Sequence, residues 1–153
     1  MPIKNSFEVL TIHNFYKMAR LNAYLTFNNN CREAMTYYQE CLGGELELMP
    51  VGETPVASQV PSHMNDAILH ATLKTGEFEI MATDMNPETF APGNDMHLCL
   101  ICKSEEEVYS LFEKLSAGGK VVQPLHQMFF GLIGTLVDKF GKKWILELDK
   151  PQQ

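Results

Sequence analysis

The sequence predicts an α+β protein made of two consecutive βαβββ units. Three observations carry that reading. A β-rich segment followed by an amphipathic helix and a double glycine occurs twice, and each occurrence is followed by three further β-rich segments. The glycine pairs Gly43-Gly44 and Gly118-Gly119 lie 75 residues apart. The helix apolar sets Ala34, Tyr37, Tyr38, Cys41 and Val108, Leu111, Phe112, Leu115 lie 74 apart, so one inserted residue near the helix end aligns the two units. Neither unit alone can bury both faces of a small sheet, so the two are expected to share one core.

"NAYLTFN" (22–28) is a β-rich first strand closed by "NNN", and "CREAMTYYQECLGG" then spaces its apolar residues for a helix that stops at Gly43-Gly44. "GELELMPVG" alternates as a half-buried strand, and a Pro-bearing loop from Gly52 to about Met64 leads to "AILHATL". The turn Lys74-Thr75-Gly76 joins this to "GEFEIMATD" as a hairpin. "MNPETFAPGND" is a linker. The second unit opens with the strand "MHLCLIC" and the helix "SEEEVYSLFEKLSAGG", with Ser104 as N-cap and Glu107 completing a capping box. "KVVQPLHQMFF", "GLIGTLVDKF" and "KKWILELDK" supply three more strands, with Pro124 confined to an edge or bulge. In "DKFGKKW", Asp138 starts a turn and Gly141 permits a positive φ, which sets the register of Trp144 and Ile145.

The units run from about 20 to 85 and about 96 to 150, within a single domain over 18–153. Residues 1–17 read as an N-terminal extension or as an over-long start, because Met18 opens what already looks like a complete first strand. With 45% hydrophobic and 20% charged residues the chain has the composition of an ordinary globular protein. A formal charge of -7 without a Lys/Arg cluster argues against a nucleic-acid partner. No apolar run reaches the roughly 20 residues of a membrane helix, and no secretory signal pattern opens the chain, so no membrane partner and a cytoplasmic location are expected. Cys31, Cys41, Cys99 and Cys102 are then expected as free thiols. Cys99 and Cys102 are an odd number of residues apart and face opposite sides of a strand, which speaks against a shared metal.

The βαβββ tandem, "YYQECLGG" after the first strand and "DKFGKKW" before the last resemble the vicinal-oxygen-chelate superfamily, which contains glyoxalase I, fosfomycin- and bleomycin-resistance proteins and extradiol dioxygenases. "AYLTFNNNCREAMTYYQECLGGELELMPVGE", "ILHATL", "IMATDM" and "FGLIGTLVDKFGKKWILEL" look most like its PhnB-like branch, over roughly 20 to 150. The resemblance implies a cup-shaped, curved mixed sheet (the glyoxalase/bleomycin-resistance fold), a homodimer, and in metal-dependent members one divalent ion held by the first and last strands of each unit. On this chain the first-strand position falls at Ala23 or Tyr24, the second-unit position on His97, and the last-strand positions on Met81 and near Ile145, two residues before the carboxylate of Glu147.

Two functions of different class follow. One is small-molecule binding without metal in an aromatic cup lined by Tyr24, His70, Met81, Phe129, Phe130 and Trp144. The other is a lyase, isomerase or dioxygenase dependent on Zn, Ni, Mn or Fe, with His97, Glu147 and His70 as ligands and Glu147 also as the catalytic base. Each residue has a plainer alternative. His70 can be a satisfied histidine beside the core, Glu147 a solvated strand end, and Trp144 core; Phe129 and Phe130, as sequential strand residues, face opposite sides so that at most one lines a pocket. No GxGxxG, P-loop, nucleophile elbow or HExxH is present, so nucleotide-dependent transfer, including the methyl transfer named in that branch's historical label, lacks its usual motif.

Overall fold

Alternating burial along β1 (Ala23–Thr26), β2 (Glu45–Pro50), β3 (Ile68–Lys74) and β4 (Glu79–Thr83) turns one face of each strand onto helix α1 (Cys31–Leu42). The same holds for β5 (Leu98–Cys102), β7 (Gly131–Val137) and β8 (Lys143–Leu148) with helix α2 (Glu105–Ser116), whereas the edge strand β6 (Lys120–Met128) is exposed except at Leu125 and His126. These assignments come from a computed structural model that describes residues 19–85 and 87–148. The element order is therefore βαβββ twice. The extension over 1–17 lies outside the described residues.

The strands form two four-stranded mixed sheets, ordered β1-β4-β3-β2 and β5-β8-β7-β6. In each, the first strand of the unit runs parallel to the last and the other pairs are antiparallel. Pro124 sits on the edge strand β6, inside the second of its two register shifts, where its missing N–H is tolerated. The 51–64 connection is three short 3-10 turns, pinned by the fully buried Val51.

One hydrophobic core joins both units, because α1 contributes Cys31, Ala34, Met35, Tyr38 and Cys41 to the same cluster as Val108, Phe112, Leu115, Trp144 and Leu146. Each large apolar side chain buried there contributes roughly 1.5–3 kcal/mol. Helix α2 begins as its sequence directs: Ser104 Oγ accepts from Glu107 N (3.2 Å), and Glu107 Oε2 accepts from Lys103 N (2.8 Å), one residue ahead of the expected reciprocal bond. Helix α1 is capped differently. Asn30 makes no side-chain cap bond; buried Asp84, just after β4, accepts from Cys31 N through Oδ1 (3.0 Å) and from Ile68 N through Oδ2 (2.9 Å).

Polar contacts then fasten the units together. Tyr37 donates to the carbonyl of Lys114 near the end of α2. Lys142 Nζ donates to Thr26 O (2.7 Å) and lies over the Phe27 ring (4.4 Å). Above all, the buried Asp138 carboxylate accepts from Phe140 N and Lys142 N at Oδ1 (both 2.9 Å), and from the Tyr38 hydroxyl (2.6 Å) and the Trp144 indole N–H (2.8 Å) at Oδ2. Asp138→Ala leaves two buried donors and two turn amides without their acceptor, so it is expected to cost about 3–5 kcal/mol. Urea unfolding followed by Trp144 fluorescence measures this, and a loss below about 1 kcal/mol would contradict the role given to the carboxylate.

Candidate functional site

Strand pairing brings three of the sequence-predicted pocket residues onto one surface. Tyr24 on β1 is level with Met81 on β4, and Met81 with Thr72 on β3; His70 is level with Met49 on β2. All lie on the face of the first sheet opposite α1. Tyr24 is half exposed (50%) and its hydroxyl is 3.2 Å from His70 Nδ1, while Thr72 Oγ1 is 3.1 Å from His70 Nε2. The Tyr24 and His70 rings sit 5.7 Å apart between centroids, tilted by 46°. A neutral imidazole carries one donor and one acceptor nitrogen, and both hydroxyls can do either, so the three groups form a relay in which the tautomer and both hydroxyl directions reverse together. Met49 and Met81 flank it with polarizable apolar surface. His70 is thus satisfied, as the plainer alternative had it, by half-exposed Tyr24 on one side and buried Thr72 on the other, on the sheet face away from α1.

The other predicted residues are placed elsewhere. His97 precedes β5, is exposed, and lines a cleft of about 540 Å³ with Tyr24, Asp95, Lys142 and Lys143. Glu147 is on the outer face of the second sheet, level with Ile101 and Ile133. His97 adjoins the row of Lys143, four residues along the strand from Glu147, or about 13 Å. His70 is on the other sheet. Among the described residues no three His, Cys, Asp or Glu side chains form a group that could hold a metal ion. A catalytic divalent ion takes three protein ligands, so the donor set among the described residues of one copy does not fit one.

Trp144 is corrected from pocket to core: it is 1% exposed, and the indole N–H is spent on Asp138. Phe129 and Phe130 are corrected as well. The strand ends at Met128, both rings lie in the β6–β7 turn, and they meet edge to face at 5.1 Å instead of facing opposite sides of a sheet. Phe129, at 91% exposed, is the most open aromatic side chain among the described residues. Thr72 and Met49 were missed by sequence reasoning. Alternation from His70 would have found Thr72, whereas Met49 depends on cross-strand register.

The geometry defines a fold shared with solved structures described as glyoxalase-related or as glyoxalase/bleomycin resistance protein/dioxygenase family enzymes, at below 25% identity. Within it, the family model described as 3-demethylubiquinone-9 3-methyltransferase matches residues 19–146, and the chain belongs to that PhnB-like family. It is 34% identical over 142 residues to Protein YjdN of Escherichia coli (strain K12), covering 86% of this chain and 97% of the relative. The crystal structure of protein PA1353 from Pseudomonas aeruginosa is 35% identical, covers 88% of this chain and 100% of its own, and superposes with a TM-score of 0.78. A Bacillus cereus PhnB protein, a putative 3-demethylubiquinone-9 3-methyltransferase, gives 26% identity, 86% and 100% coverage, and 0.69.

The cysteines are all free, and the strand argument about two of them holds: Cys102 is buried and Cys99 exposed. Burial pushes the Cys31 thiol up to about 12 and Cys102 to about 11, and raises Cys41. Cys99 is raised by burial and then by the Glu147 carboxylate on the same face. Native protein at pH 8 is therefore expected to alkylate at one thiol, Cys99, and at all four after guanidinium unfolding. Glu147→Gln should speed the reaction of Cys99 with neutral iodoacetamide roughly two- to threefold. Mass spectrometry of modified peptides checks both, and an unchanged Cys99 rate would remove the proximity.

Proposed function

We propose that this protein binds a small molecule over the Tyr24–His70–Thr72 relay, in a cup formed when the first sheet of one copy faces the second sheet of another in a homodimer, in the cytoplasm and without a resident metal. The observation that carries this reading is the relay itself. Three hydrogen-bonding groups are held at 3.1 and 3.2 Å on the methionine-flanked sheet face opposite α1, with Tyr24 half exposed, His70 partly buried and Thr72 buried at the base. Such a face reads both donors and acceptors on a ligand while its walls desolvate the ligand's apolar part. Exposed Met49, Ile101, Val122, Phe129 and Phe130 supply the apolar surface that dimerisation would cover.

The metal-dependent lyase, isomerase or dioxygenase stays as a second reading because Glu147 presents a half-buried carboxylate with no hydrogen bond or salt bridge among the described residues. That reading needs donors from a second copy.

Catechol, a vicinal diol on an aromatic ring, is a suitable probe. Its binding, followed through the Met49 and Met81 methyl resonances, is expected to weaken about tenfold or more in Tyr24→Phe and His70→Ala and to survive chelator treatment. Sedimentation should give a dimer. Stoichiometric metal in protein purified without chelator, lost in both His97→Ala and Glu147→Ala, would replace this reading with the second.

A further inference from the structure

We infer that the cleft between the two units of a single copy is a second site, which takes the carboxylate of a small apolar acid on Lys143, with Lys142 and His97 beside it. The cleft, of about 540 Å³, is bounded by β1, the 91–97 connection and the turn that leads into β8. Its polar lining is Asn22, Tyr24, Asp95, His97, Lys142 and Lys143. Both lysines tie one wall to another: Lys142 Nζ donates to Thr26 O at the end of β1 (2.7 Å), and Lys143 Nζ to Gly93 O in the connection (2.6 Å). The cleft therefore takes its walls from the two units of one copy, whereas the proposed cup takes one sheet from each of two copies.

Charge decides what the cleft takes. Each ammonium gives one N–H to a neutral carbonyl and keeps two, and neither is ion-paired among the described residues. Lys142 Nζ also lies 4.4 Å from the centroid of Phe27 and 5.6 Å from that of Phe90, and burial lowers its pKa, so an anion alongside offsets a charge that its surroundings disfavour. The fold does not require these charges. The parallel ladders begin with Ala23 opposite Ile80 and Leu98 opposite Trp144, so Lys143 is the equivalent of Glu79, and Asp95 of Arg20. Arg20 and Glu79 form an ion pair at 3.4 Å. Asp95 and Lys143, with the signs exchanged, form none: Lys143 reaches Gly93 O instead and leaves its positive charge uncompensated at the cleft. Asn22 and His97, each one residue before those ladder pairs, bring further N–H groups, while the Tyr24 hydroxyl is engaged by His70. Asp95, the carboxylate in the lining, and the formal charge of -7 limit the ligand to a monoanion in preference to a dianion such as phosphate.

The test titrates full-length protein, labelled at leucine and methionine methyls and with chelator present, with benzoate, benzyl alcohol, benzylamine and inorganic phosphate. Benzoate is expected to shift the methyls of Met96 and Leu98, which line the cleft, saturably, and to leave Met49 and Met81 beside the relay unmoved. Its affinity should fall about tenfold or more in Lys143→Gln, be kept in Lys143→Arg, and rise about twofold or more in Asp95→Asn. Unchanged Trp144 fluorescence confirms that each variant is folded. Equal binding of benzyl alcohol, tighter binding of benzylamine, or unchanged affinity in Lys143→Gln would overturn the proposal. Phosphate that displaces benzoate at equal concentration would overturn the choice of a carboxylate. Benzoate that moves Met49 and Met81 in place of Met96 and Leu98 would overturn the site, and a catechol titration that fails at the relay leaves all these outcomes untouched, so the two readings fail separately.

Discussion

The buried Asp138 carboxylate is the constraint on which the rest of the molecule depends. It draws together a turn, a strand and a helix from the other unit: the amides of Phe140 and Lys142, the Trp144 indole and the Tyr38 hydroxyl. A buried carboxylate is costly unless each oxygen is satisfied, and here each accepts two bonds. The cost and the specificity have the same origin. Tyr38 and Trp144 are polar-tipped aromatics that the core can hold only with a partner for each tip, and one residue supplies both. The Tyr38 hydroxyl is raised far above its usual range, first by burial and then by this carboxylate, so it stays a donor. With Trp144 fixed inward, alternation puts both Ile145 and Glu147 on the outer face, so that face is set by an inner bond.

Inside, the two units repeat one another closely. Thr75 and Asp138 both open the turn after the third element of their sheets and both accept turn amides through a side-chain oxygen, from Glu77 and Phe78 in one case and Phe140 and Lys142 in the other. Gly44 and Gly119 each run so close to the carbonyl that ends the neighbouring strand, Lys74 in one unit and Val137 in the other, that a Cβ at either would collide with it. Outside, the repeat breaks down. The first pairs of the parallel ladders are Ala23 with Ile80 and Leu98 with Trp144, so the next pairs, Tyr24 with Met81 and Cys99 with Ile145, are equivalent positions. Packing demands the same backbone approach in both units and is met in the same way. Nothing in packing demands Tyr24 in one place and Cys99 in the other, so their difference belongs to what each face contacts.

This division also explains what was legible in the sequence. Element order, both double glycines, the Ser104 cap, the opposed thiols and the edge position of Pro124 depend on local periodicity and backbone chemistry, and the residues state those directly. The candidate site was legible only where one sheet face decides it, as for Tyr24, His70 and Met81. Trp144 was misplaced because its partner, Asp138, had been read as a turn former alone. Phe129 and Phe130 were misplaced because the strand stops one residue before them, and alternation has no meaning in a turn. His126 was invisible because two bulges, not spacing, carry it into the row of Glu147. Asp84 was missed because it caps a helix that begins 53 residues earlier in the chain. Convergence of His70, His97 and Glu147 required the relative placement of two sheets, which no local pattern encodes.

The two outer faces differ in the kind of hydrogen bonding they offer, and this matters more than their shared shape. On the first sheet, Tyr24, His70 and Thr72 are amphoteric, so their relay can reverse to suit a ligand that donates or one that accepts. On the second sheet, Pro124 fixes the tautomer of His126, and Glu147 has no proton to give when ionised, so those two groups accept, with Thr135 beside them as a hydroxyl. A metal ion would have to recruit His70 away from two satisfied bonds and find its remaining donors on a different sheet. An organic ligand needs neither rearrangement. In the proposed dimer the relay of one copy would face the Glu147 carboxylate of the other, which disfavours an anionic ligand by repulsion, while the relay orients what that carboxylate admits.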